Sequence, residues 1–333
     1  YSESINGNSS DCLWPKSGTN AFYEPGTNNL LKLNGKRICR YGINNELNGT
    51  PKNWIEGKPL LNGIGLFCHE FSHTMGLPDL YPTVETSRVD NQNPEYWDLM
   101  DGGEYTYSGY FPTPYSPWEM EVMGWTTPVE LGDEAKQVNL NSYASDRTTY
   151  KINGKNDEYL LIQNIQTDGW WRGITKAYNT GMLVWRIDYP YTTVSLDNRL
   201  NNEIGKPNVM IVPADGYVIS AYNVTDDDES KAKYKASLKA DPFPGANNVP
   251  ELLSVKLNKS TLKKPFYNIK ETNGVITFDY LKDYATGIDQ TLADKDTEKN
   301  QSIFSLDGRY LGNDASKLTK GIYIIGKKKV VIK

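Results

Sequence analysis

The sequence predicts an α+β protein, and three observations carry the prediction. The stretch IGLFCHEFSHTM at 64–75 opens on an apolar run and is followed by Gly76 and Pro78, as a buried helix with a sharp stop would be. From about Thr126 the chain breaks into short β-prone runs divided by turn residues, the pattern of antiparallel sheets. The last stretch, IFSLDGRYLG followed by KGIYIIGKKKVVIK, repeats strand and turn after a polar gap.

At 333 residues the chain is longer than one ordinary domain, and 38% apolar residues suffice for normal cores. A net charge of −5 argues against nucleic acid as the main partner. The 23 tyrosines and eight tryptophans suit a β-rich extracellular protein. No apolar run reaches the length of a membrane span. The sequence opens on Tyr1 without methionine or signal peptide, so a processed or trimmed product is expected. Three cysteines cannot all pair. Cys12 with Cys39 is one possible bridge, and Cys68 reads as a small buried residue.

Taken in order, residues 1–59 read as short strands and irregular pieces rich in Gly, Asn and Pro, with Asp11–Pro15 and Arg40–Leu47 packed near the site. Residues 60–75 read as a helix that carries the only two histidines, His69 and His73, with Glu70 between them. Positions i and i+4 share one helix face. Two imidazoles so placed can hold one zinc ion, and a glutamate beside the first can reach a water on that metal. Two unrelated histidines on a helix is the plain alternative. Gly76 suits the positive-φ turn, and Pro78 prevents the helix from resuming. A catalytic zinc needs three protein ligands. With no third histidine, the third is a carboxylate, thiolate or phenolate, and Asp79 is the nearest carboxylate with suitable geometry.

Residues 82–96 are polar and loop-like, then YWDLMDGG at 96–103 places Met100 before the turn residues Asp101, Gly102 and Gly103. A methionine in a tight turn beneath the metal is the second signature of metzincin zinc peptidases. Residues 115–125 read as a second helix, capped by Ser116, opened by Pro117 and ended by Gly124. Strands are expected at 138–140, 159–163, 182–187, 209–212 and 275–280, with Leu183, Trp185 and Ile187 inward on one face. The charged stretch 226–235 reads as a solvated loop, and 285–301 as a linker. In the last stretch Asp307-Gly308 and Gly326-Lys327 read as turns, with Lys327–Lys329 exposed.

HEFSHTMGLPDLY, YWDLMDGG and SPWEMEVMGW together resemble the immune inhibitor A family of secreted bacterial zinc metallopeptidases. DCLWP and YGINNEL are similar to segments ahead of that family's zinc helix. GMLVWRID, NVMIVPADG and ADPFPG are similar to its downstream β-rich region, so the likeness covers roughly residues 1–280. The resemblance implies that His69, His73 and Asp79 bind zinc, that Glu70 is the general base and that Met100 is the turn methionine. From about residue 285 the chain is similar to C-terminal modules of exported bacterial surface proteins, which serve secretion or attachment in some of them. The family often has histidine where this chain has Lys16 and Arg186, neither expected to bind zinc. It also places more chain before the zinc helix, so part of the upstream half is expected to be missing.

The expected organisation is a metzincin-like zinc peptidase domain at 1–128, a β-sandwich at 129–284, the linker at 285–301 and a small β-module at 302–333. The expected activity is that of a zinc endopeptidase, secreted or on a bacterial surface, acting as a monomer on protein or peptide substrates, with Tyr105 or Tyr107 as oxyanion donor. Calcium has no clear motif. One alternative is a catalytically idle, metal-bearing module that binds surface protein or glycan. Another is a gluzincin-type site whose third ligand is Glu119 or Glu121.

Overall fold

A computed structural model describes residues 15–48, 58, 60–189, 199–284, 302–325 and 328–332. Cys12, most of the DCLWP segment, the 285–301 linker and the Gly326-Lys327 turn lie outside the described residues. The fold mixes helix and sheet, in two compact units, Tyr1–Leu281 and Lys282–Lys333.

The first unit opens with β1 (Lys16–Thr19), paired antiparallel with β2 (Arg40–Ile43). Both lie along helix α1 (Ile64–Met75): the Ser17 hydroxyl donates to the Glu70 carbonyl, and Arg40 donates to the Thr74 carbonyl. The helix begins later than its apolar pattern suggests. Leu60-Leu61 pairs as a strand with Leu47-Asn48, and Gly63 is still extended. Helix α2 (Pro117–Val122) forms as expected. Ser116 and Glu119 make a reciprocal capping box, and Pro117 fills the first position, where a missing N–H costs nothing.

Five strands then build the central sheet: β3 (Val129–Glu130), β5 (Tyr150–Asn153), β6 (Tyr159–Ile165), β7 (Gly181–Ile187) and β8 (Val209–Ile211), ordered β8-β7-β6-β5-β3. All pairings are antiparallel except β3 with β5. A second sheet joins β4 (Lys136–Leu140) to the hairpin β9 (Phe266–Thr272) and β10 (Val275–Tyr280), ordered β9-β10-β4.

Residues 226–235 are not a solvated loop. Helix α3 spans Asp228–Ala240, with Asp227 accepting from the Ser230 N–H as its cap and a Glu229–Lys233 pair one turn apart. Its buried side is narrow, Ser237, Leu238 and Ala240, which is why charge dominates its composition.

The central sheet is buried on both faces. Leu160, Ile162, Met182 and Val184 join Val138, Leu140, Phe266, Ile276 and Phe278 of the second sheet in one apolar core. Leu161, Ile165, Leu183, Trp185 and Ile187 point the other way, into a core with Leu77, Leu80, Trp97, Met100 and Trp118. Leu183, Trp185 and Ile187 do share a face, but that face supports the loops after α1 rather than the second sheet. The continuous apolar runs of β6 and β7 follow from this two-sided burial. Trp185 and Trp97 are fully buried, and truncating either to alanine costs about 3–5 kcal/mol.

The second unit holds β11 (Ile303–Ser305), β12 (Tyr310–Gly312), β13 (Gly321–Ile325) and β14 (Lys328–Ile332), ordered β12-β11-β13-β14 and antiparallel throughout. Asp307-Gly308 turns between the first two, with Gly308 at φ 83° and its N–H on the Ser305 carbonyl at 2.9 Å.

Candidate metal centre

Helix α1 has two faces. His69, Glu70, Ser72 and His73 are buried, whereas Ile64, Phe67 and Phe71 are exposed. The helix ends in a Schellman turn. Gly76 adopts φ 114°, its N–H bonds the His73 carbonyl at 3.0 Å, and the Leu77 N–H bonds the Ser72 carbonyl at 3.1 Å. The reversal carries the Leu77 carbonyl back to His73 Nδ1 at 2.7 Å and brings Asp79 under both histidines.

The turn around Met100 supplies the other half. The Leu80 N–H donates to the Met100 carbonyl at 2.8 Å, and His69 Nδ1 lies 3.0 Å from the Leu99 carbonyl. Asp98 holds this turn, accepting from the Met100 N–H at 2.6 Å and the Ser116 N–H at 3.0 Å. Met100 itself is fully buried in the core beneath.

A carbonyl oxygen only accepts, so each Nδ1 carries a proton and each neutral ring turns its Nε2 lone pair inward. His69 Nε2, His73 Nε2 and Asp79 Oδ1 stand at the corners of a triangle with sides of 3.2 Å. Three acceptors this close repel unless a positive charge sits among them. Tetrahedral zinc with bonds of about 2.0–2.1 Å has ligand–ligand edges of about 3.3 Å. The donor set therefore fits such an ion in number, type and spacing, and among the described residues it is the one cluster of this kind. In the absence of a metal the site draws in a proton. Burial pulls the His69 imidazolium down, yet the Asp79 hydrogen bond, the Glu104 and Asp79 charges and the Leu99 carbonyl together lift it to about 9. Burial raises the Asp79 carboxyl, but the bonds and charges of the two histidines take it down to about 2.

The remaining site residues sort as follows. Glu70 is buried beside His69. Tyr105 is exposed at its rim, its hydroxyl pushed up by burial, by the Glu104 charge and hydrogen bond, and by the Glu70 charge. Tyr107 is turned elsewhere: exposed, in left-handed backbone at φ 51°, its ring edge-on to Phe111. Glu119 is fully buried in its capping box against Asp98, and Glu121 pairs with Lys151 and Tyr159, so neither joins the triangle. Lys16 is exposed on β1, and Arg186 bonds Asn258.

Three neighbours lay outside the sequence reading. The Tyr81 ring stacks 6.4 Å from His69, and its hydroxyl bonds Asp79. Tyr222 arrives from the loop before α3, with Arg88 4.4 Å over its ring, and shares a field with Tyr81 and Asp79. Glu104, 6% exposed, sets Oε2 3.6 Å from His69 Nδ1. Tyr81 sat in the quoted motif, while Glu104 and Tyr222 carried no local signal.

A helix with two histidines and a glutamate, closed by a glycine turn onto a carboxylate above a methionine turn, defines the metallopeptidase class. Comparison with known proteins finds likeness in the same stretch. Residues 52–126, which contain this whole constellation, match the immune inhibitor A peptidase M6 catalytic domain. Immune inhibitor A of Bacillus thuringiensis subsp. alesti is 29% identical over 102 residues, covering 28% of this chain and 15% of that protein. The match thus spans well under two thirds of that relative's length.

Proposed function

We propose that the chain is a zinc-dependent endopeptidase with a metzincin-like catalytic part at 1–128, supported from below by a β-sandwich at 129–284. The observation that carries this reading is the triangle of His69 Nε2, His73 Nε2 and Asp79 Oδ1, three acceptors at 3.2 Å with both Nδ1 atoms already engaged. Bound there, zinc supplies Lewis acidity toward a carbonyl and acidifies a water. The Leu77 and Leu99 carbonyls fix the two imidazoles in the tautomer that offers Nε2. Tyr81 steadies the Asp79 carboxylate from the other side. Glu70, one residue from His69 on the buried face, takes the proton of the attacking water and delivers it to the leaving amine. Tyr105, at the rim near Glu70, turns its one hydroxyl proton from Glu104 to the charge that grows on the scissile carbonyl oxygen.

The substrates are proteins or peptides, and the chain works as a monomer outside the cell or on a bacterial surface. No described helix is long and apolar enough to cross a membrane. Residues 302–333 serve secretion or attachment rather than catalysis.

The test is Glu70→Gln. Zinc content should equal that of the wild type, measured by metal analysis, while cleavage of an unfolded protein such as casein falls at least a hundredfold. A wild type that binds zinc but cuts nothing favours the idle binding module instead. A variant that loses zinc and activity together gives Glu70 a structural role.

A further inference from the structure

Glu104 is the buried ionisable group at the centre that the chemistry above does not use. It is 6% exposed; the Tyr105 hydroxyl bonds its carboxylate, but its Oε2 has no hydrogen-bond partner. Burying a carboxylate is costly unless its charge is answered. Among the described residues its one ion-pair partner is His69, Oε2 to Nδ1 at 3.6 Å. That separation is too long for a hydrogen bond, and the Nδ1 proton already goes to the Leu99 carbonyl at 3.0 Å. Glu104 therefore reaches His69 through its charge.

We propose that Glu104 is a positioning residue for the metal centre: a buried carboxylate behind His69 that holds the imidazole with Nε2 inward and makes it a stronger donor to a divalent cation. The inference rests on the zinc reading above. A carboxylate behind a ligand histidine draws positive charge toward the ring proton and leaves more electron density at the other nitrogen. The device is one-sided. His73 has the Leu77 carbonyl at its Nδ1, and the carboxylate that pairs with it, Asp79, lies on the Nε2 side. The backbone places Glu104 closely, because a Cβ on Gly65 of α1 would meet the Glu104 carbonyl oxygen at 2.0 Å. The glycine lets the helix that carries His69 and the turn that carries Glu104 touch through main chain alone.

The experiment uses the full chain with Glu104→Gln, of the same shape without the charge, and Glu104→Asp, with the charge on a shorter arm. Zinc affinity is read by competition with a chromophoric chelator. The Gln variant should bind about 10–100-fold more weakly, and the Asp variant should recover part of that loss. Because the chain has two histidines, imidazole nitrogen-15 resonances can be assigned one to each. The His69 signals should move in the Gln variant while those of His73 stay. A Gln variant that binds zinc within twofold of the wild type overturns the inference, as does one in which both histidines move alike. A wild type that takes up no zinc overturns the zinc reading itself, which separates the two failures.

Discussion

Gly65→Ala tests how closely the ligand helix must approach the turn that follows Met100. Helix propensity alone predicts a gain, since alanine is favoured over glycine in a helix by about 1 kcal/mol. The structure predicts a loss. The new Cβ would stand 2.0 Å from the Glu104 carbonyl oxygen, 2.9 Å from the Glu104 carbonyl carbon and 3.1 Å from Gly109 Cα. A relaxed carbon–oxygen contact is about 3.3 Å, so helix and turn must separate by roughly 1 Å, and every atom in the way is main chain. Such overpacking costs about 1–3 kcal/mol, so after the propensity gain the net expectation is a loss of up to about 2 kcal/mol. The separation also pulls Glu104 and Leu99 away from His69, and a shift of about 1 Å at a reacting centre can cost about a hundredfold in rate. Denaturant melts, chelator competition and peptide cleavage should all register the change. Gly132→Ala is the control, because a Cβ there meets nothing within 4 Å. If Gly65→Ala melts with the wild type and cleaves at the same rate, the close approach is not what positions the site.

The other predictions concern separate parts of the molecule. Burial pushes Glu95 up to about 7 from 4.5, against the bonds from Tyr234, Ala221 and Asn93 and with the Asp90 charge adding to the rise. The folded protein then keeps a proton that the unfolded chain releases, so this stability is full below about pH 4.5 and lost as pH rises through about 7. A gap of roughly 2.5 pH units is worth about 3 kcal/mol, so Glu95→Gln should gain on the wild type by up to that amount between pH 5 and 8 in chemical melts, and parallel curves would contradict it. Asp79→Asn should retain the fold but lose zinc by at least a hundredfold in chelator competition, because one of three anionic or lone-pair donors becomes a poor one. Retention of tight binding would move the third ligand elsewhere. Removing residues 285–333 should leave zinc binding and peptide cleavage unchanged, as every proposed site residue lies between His69 and Glu104 or Tyr105; a truncated chain that loses its metal would refute that assignment.

The parts of the site legible in the sequence are those with local causes. His69 and His73 share a face because four residues separate them, and Gly76 turns the chain because only glycine adopts φ 114° without penalty. Asp79 follows three residues later, so its place is set by the same turn. The Glu104 position has a different origin. Its burial depends on the meeting of Gly65 with a carbonyl 39 residues away, as the numbering shows, and nothing around Gly102-Gly103-Glu104-Tyr105 separates a buried glutamate from a solvated one. Helix α3 was hidden for a related reason. Its start carried a signal in Asp227 and Glu229–Lys233, but only Tyr234 and Leu238 mark an apolar side, so charge outweighed periodicity.

The central sheet shows what the site costs in architecture. A donor triangle oriented by two carbonyls behind the histidines and completed by a carboxylate needs those groups fixed to fractions of an ångström, yet Leu77, Asp79, Leu99 and Met100 all sit in loops. Loops gain such precision from what lies under them. Leu77, Leu80, Trp97 and Met100 are fully buried against Leu183, Trp185 and Ile187, so each loop rests on strand side chains that are themselves immobilised by a second sheet behind. This explains why β7 is apolar on both faces, GMLVWRI, although none of its residues approaches the metal donors in chemistry. It also explains why the exposed stripe of α1, Ile64, Phe67 and Phe71, lies opposite the ligands. The helix is anchored through its ligand face, its end turn and the short strands β1 and β2, and the rigidity of the triangle comes from the β-rich half of the unit rather than from the helix that supplies two of its corners.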